Sequence, residues 1–133
     1  AGNPITRTFA AGNYTNDGAA VWTVAAGDVV TDSYVQVNKM LTVTERLTTT
    51  DVSAATALEL RVTIPGGFTS TKAVVIPNIH GNNKASGYFD DLGSTRAAAA
   101  GTTFVCFRST ETSAWSVSVN QTQLAFVITI EVD

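Results

Sequence analysis

The chain has 133 residues, 44% of them hydrophobic and 14% charged, with a net charge of −3 and a pI near 4.9. That length suits one domain with a real core, and the hydrophobic share argues against a disordered chain. Eight scattered basic residues form no patch that could displace counterions from nucleic acid, and one Cys with one His rules out an internal disulfide or a zinc site built from those ligands.

Thr (21), Val (16) and Ile (6) make up 43 of the residues. Such β-branched side chains are stiff at χ1 and fit a pleated, half-buried surface, so strands are expected throughout. No apolar run approaches the ~18 residues of a membrane span, so membrane insertion is not expected. The single Cys106 fits synthesis in a reducing cytoplasm.

In chain order, residues 1–13 hold two Gly and one Pro with little alternation. They predict an N-terminal arm, flexible or docking on a partner, with Asn3, Pro4 and Ile5 as candidate contacts. Residues 14–133 are expected to form one domain. Strands are predicted over 20–24 and 29–37, with Trp22 and Val24 on one core-facing side. Val37-Asn38-Lys39 predicts a hairpin turn, because Asn tolerates positive φ. After it, Leu41, Val43 and Leu47 share a face that Glu45 interrupts. Leu58, Leu60, Val62 and Ile64 alternate with Glu59, Arg61 and Thr63, and Leu124 to Val132 repeats the same period of two. Weaker runs cover 72–79, 102–108 and 114–119, the last placing Trp115 in phase with Val117 and Val119. Turn signals separate them, such as Asn16-Asp17-Gly18, Pro65-Gly66-Gly67 and Gly81-Asn82-Asn83. The expected fold is all-β: an antiparallel β-sandwich, jelly-roll-like, of about eight to ten short strands.

The chain is poor in chemistry. His80 is expected in a polar loop after a strand, as a pH-sensitive contact, a general base or a solvated side chain. Asp17, Asp28, Asp32 and Asp51 lie in turn-like segments, where side-chain-to-backbone hydrogen bonds account for them without a cation. Cys106 alternates with Phe104 and is expected to be a buried, inert thiol. Tyr88 and Phe89, followed by Asp90 and Asp91, are the best candidates for an exposed aromatic contact with a sugar. No phosphate loop, dinucleotide fingerprint, nucleophile elbow or zinc-protease motif occurs, so neither an enzyme nor a bound cofactor is expected.

Two stretches together carry a resemblance. One is Trp22-Thr23-Val24-Ala25-Ala26-Gly27-Asp28-Val29 with Leu41-Thr42-Val43 and the segment from Leu58 through Ile64-Pro65-Gly66-Gly67-Phe68. The other runs from Trp115-Ser116-Val117-Ser118-Val119 to Phe126-Val127-Ile128-Thr129-Ile130-Glu131-Val132. This layout resembles β-sandwich virion proteins of tailed bacteriophages, including head decoration (cement) proteins and the heads of tail fibres. The resemblance implies a non-enzymatic virion protein, often a homotrimer, with other virion proteins such as the major capsid protein as partners. A tail-fibre head would instead bind a cell-surface glycan, and His80, Tyr88, Phe89, Asp90 and Asp91 would then matter.

Overall fold

The computed structural model describes residues 3–85, 87–109 and 113–133; Ala1 and Gly2 of the expected arm lie outside it. Ten strands follow in chain order: β1 Ile5–Thr6, β2 Tyr14–Asn16, β3 Val21–Thr23, β4 Val29–Val37, β5 Met40–Ser53, β6 Leu60–Thr63, β7 Val74–His80, β8 Asp91–Ala97, β9 Thr103–Phe107 and β10 Ser118–Glu131. The fold is all-β, and the strands pair antiparallel in two sheets. The first has the order β1-β4-β5-β10, with β3 on the far part of β5; the second has the order β2-β6-β9-β8-β7. Within the second, the meander β7-β8-β9 returns β9 to the side of β6, which is a Greek key.

The two longest strands, β5 and β10, form the spine. Leu41, Val43 and Leu47 stand opposite Ile130, Ile128 and Leu124, and all six are buried. Their period of two directs these side chains at the second sheet, where Leu60, Val62, Phe104 and Cys106 complete the core. Phe104 and Phe126 meet edge to face across the sheets at 5.5 Å. Single bridges, Gly81 to Gln123 and Ser70 to Val132, join the β10 edge to the second sheet beside β7. The β4–β5 hairpin turns at Asn38, whose φ is 55°, with Val37 opposite Met40.

The phase expected after Trp115 is not kept. Trp115 is fully buried, bridging Ala57, whereas Val117 and Val119 are exposed. Asn120 has φ 57° and the β5–β10 register shifts between Ser118 and Thr122. The phase breaks before that bulge, at Ser116 and Val117, which separate the Trp115 bridge from β10; Ser118 faces inward like Thr122, Leu124 and Phe126 beyond the bulge.

Near the N-terminus, Ile5 and Thr6 pair with Tyr34 and Ser33 of β4, and Phe9 packs against the core. The segment lies on the chain's own first sheet. Among the described residues no helix is long and apolar enough to cross a membrane.

Candidate functional site

Glu45, the residue that breaks the apolar alternation of β5, marks a buried polar cluster. It points into the sandwich with the core residues of its strand and is 1% exposed. Asp32 faces it from the paired position on β4 and is also buried, so Asp32 is a strand residue and not the turn residue expected from the sequence. Tyr14, from β2 of the opposite sheet, donates its hydroxyl to Asp32 Oδ2 at 3.0 Å and approaches Glu45 Oε1 at 3.3 Å. Arg7, just beyond β1, donates Nε to Asp32 Oδ2 at 2.9 Å and Nη1 to the Thr63 carbonyl at 2.6 Å.

Burial, reinforced by a hydrogen bond to Asp32 and its negative charge, pushes the Glu45 carboxyl up to about 9. At neutral pH Glu45 is therefore protonated, and Asp32 is the acid that pairs with Arg7. The 4.0 Å approach of Arg7 to Glu45 Oε2 is accordingly not an ion pair there. Burial and the two acids also hold the Tyr14 hydroxyl well above its ordinary value. Cys106 is buried, and its thiol is pushed up to about 12 chiefly by burial, as expected of an inert thiol. The cluster is closed to solvent, so it ties strands together and offers no substrate access.

The sequence-selected residues are scattered. Asn3, Pro4 and Ile5 are exposed at the β1 edge. Tyr88, Phe89 and Asp90 lie in the segment that leads from β7 into β8, and Asp91 opens β8 opposite His80. His80 is not in a loop. It ends β7 and is fully buried, its ring 5.4 Å from that of Trp115. Neither ring nitrogen has a well-formed hydrogen bond, and burial lowers its pKa to about 4 despite a small opposing contribution from the Ser94 backbone. A neutral, enclosed imidazole makes neither a surface contact nor a general base for a bound substrate.

Tyr88 is 63% exposed. Phe89 is partly covered, with the Arg46 guanidinium 5.4 Å from its ring centre. Asp90 pairs with Lys84 at 3.3 Å, and Asp91 lies 3.8 Å from Arg108. Arg46 also borders a shallow depression of about 360 Å³ on the outer face of the first sheet, with Thr31, Thr44, Ala125 and Val127 around it.

The turn aspartates serve the backbone. Asp17 Oδ1 accepts the Leu58 and Glu59 amides at 3.0 and 2.9 Å. Asp28 accepts the Ala25 amide and the Thr49 hydroxyl, and Asp51 accepts the Asn120 amide. Among the described residues no three His, Cys, Asp or Glu side chains gather as a metal site.

The outer face of the second sheet carries an apolar strip, signalled in the sequence by β9, where Val105 and Phe107 on one side face away from Phe104 and Cys106 on the other. Val75, Pro77 and Ile79 of β7 stand beside Arg96, Ser94 and Leu92 of β8. Val75, Ile79 and Leu92 are 63%, 50% and 72% exposed. Val105 and Phe107 of β9 continue the face, with the Arg96 guanidinium 4.4 Å from the Phe107 ring centre. A depression of about 340 Å³ lies among Val75, Arg96, Val105 and Phe107. The sequence signal was available in Val74 to Ile79, where both alternating sets of positions contain apolar residues. The central position of β9, between β6 and β8, accounts for its inward Phe104 and Cys106. It leaves the outward apolar residues unexplained.

No protein family, curated protein or solved structure matches the chain.

Proposed function

We propose that the chain is a non-enzymatic structural protein of a bacteriophage virion, a homotrimeric decoration protein that binds the assembled head. It would be made in the host cytoplasm and act, without a cofactor, on the major capsid protein. The apolar outer face formed by Val75, Pro77, Ile79 and Leu92 is the observation that carries this reading. Contiguous apolar surface on a small domain marks a contact with another macromolecule, and here it lies on a sheet that fixes its shape. A protein that binds only the assembled shell stabilises that shell by mass action. The resemblance of the strand layout to phage β-sandwich virion proteins supports the same reading.

The test is co-sedimentation with phage heads stripped of small surface proteins, with light scattering for the solution mass. The wild-type chain should bind to saturation and behave as a trimer. Leu92→Lys places a charge on the apolar face at an exposed position, so its unfolding midpoint should be unchanged while head binding weakens by about tenfold or more, some 1.4 kcal/mol. Equal binding by the variant, or no binding by either protein, would overturn the proposal.

The exposed Tyr88 favours a second reading, a glycan-binding head. Its ring and Phe89 offer stacking surface, and Arg46 connects them to the Thr31 and Thr44 depression. Saturation-transfer NMR against a panel of bacterial surface oligosaccharides would then show binding that Tyr88→Ala abolishes. A signal that persists in Tyr88→Ala counts against this site.

A further inference from the structure

We propose that β1 is an exchangeable strand, and that the groove it fills on β4 accepts the same residues from a second copy of this chain. The inference does not rest on the virion reading.

The segment is held at few points. Only Ile5 and Thr6 form the ladder with β4, and both side chains are exposed. Beyond them, the Arg7 amide donates to the Asp32 carbonyl at 2.9 Å, the Arg7 side chain enters the buried cluster, and Phe9 stacks on Tyr14 with ring centres 6.2 Å apart. All of these partners belong to the body of the domain. An identical segment from another copy would therefore make the same contacts, and only the connector would change course.

The connector is suited to that change. Ala10, Ala11 and Gly12 are exposed, and the 3-10 turn Ala11–Asn13 buries no side chain. A Cβ placed on Gly12 would meet nothing within 4 Å. Opening the connector thus removes little packing from the body.

Charge separates exchange from simple detachment. With the groove empty, Asp32 would lie beside Tyr14 and Glu45 without the Arg7 cation, a costly arrangement. The groove is therefore filled by one copy's Arg7 or by another's. Passed head to tail around a closed ring, the segments would fill every groove and link the copies. The β4 residues past Tyr34, namely Val35 to Val37, have no strand on that side among the described residues, which leaves room for an incoming chain to approach.

The register supplies the test, because Thr6 and Ser33 are direct partners and a disulfide fits between paired strand positions. Cys106 is buried and does not interfere. Thr6→Cys and Ser33→Cys are made as separate, differently tagged chains, co-expressed and oxidised. A disulfide-linked heterodimer is expected, with the double variant Thr6→Cys/Ser33→Cys running as covalent oligomers on a non-reducing gel. An internal disulfide in the double variant with no heterodimer would overturn the proposal. So would absence of any disulfide, or equal cross-linking of Thr6→Cys with Ser53→Cys, an exposed position on another part of the first sheet.

Discussion

Replacing Arg7 with Met is expected to cost about 3–5 kcal/mol, the range for removing one partner of a buried ion pair. Met keeps most of the apolar stem and removes only the charged group. Asp32 would then be left in the interior with hydrogen bonds from its neighbours Tyr14 and Glu45 and no positive charge beside it. The Thr63 carbonyl would lose its Arg7 donor as well. Against a typical domain stability of about 5–15 kcal/mol, a loss of that size leaves a protein near unfolding at 37 °C. Deleting residues 1–13 should do at least as much damage, because Phe9 leaves with Arg7. Urea unfolding of wild type, Arg7→Met and Arg7→Met/Asp32→Asn would measure it. The double variant should recover a large part of the loss, since neutralising Asp32 removes the stranded charge. An Arg7→Met midpoint within about 0.5 kcal/mol of wild type would show that the cluster is not buried as described.

Stability is expected to be flat with pH between about 4.5 and 6.5 and to fall above that range. Two buried groups set the profile. Glu45 titrates near 4.5 when unfolded and near 9 when folded, so between those values the native state holds the extra proton. Its contribution is complete at the acid end and is lost as pH rises toward 9. His80 behaves in the opposite sense: its ordinary value of 6.5 falls to about 4 in the fold. Between 6.5 and 4 the unfolded state binds the extra proton, so this contribution is lost as pH falls. From 4.5 to 6.5 the two slopes cancel. Above 6.5 the Glu45 slope acts alone, at up to about 1.4 kcal/mol per pH unit.

Two variants separate these contributions. Glu45→Gln can donate an amide proton to Asp32 and accept from Tyr14, and it should abolish the decline above pH 6.5. His80→Phe fills nearly the same volume beside Trp115 and removes two unpartnered nitrogens. It should raise stability at neutral pH by about 1 kcal/mol and remove the decline below 4.5. Urea midpoints from pH 4 to 9 provide the measurement, and a stability that climbs steadily from 6.5 to 9 would contradict the protonated state of Glu45.

Residues with the same local pattern are placed differently by the fold. Leu60 and Val62 alternate with Arg61 and Thr63, and the alternation alone placed them in the core. Asn38 marked its hairpin through its tolerance of positive φ. Val119 alternates with Trp115 in the sequence, yet it is exposed, because Trp115 sits on a separate bridge before β10 and the irregular residues between them break the phase. Gly81, Asn82 and Asn83 predict a polar loop at His80, whereas the strand continues one residue further and buries it. Arg7 gave no sign of its role within a segment rich in small and polar residues.

The sequence by itself determined the class of fold, most strand positions and the inward faces of the long strands. Those features follow from the two-residue repeat of a pleated chain and from the few residues that accept turn geometry. Tertiary structure alone decided that Arg7, Tyr14, Asp32 and Glu45 share one buried cluster, since their contacts join four strands across two sheets. It also decided that, among the described residues, no second layer covers the apolar outer face of β7 and β8. Periodicity tells which side chains share a face, but what covers that face depends on how distant segments pack.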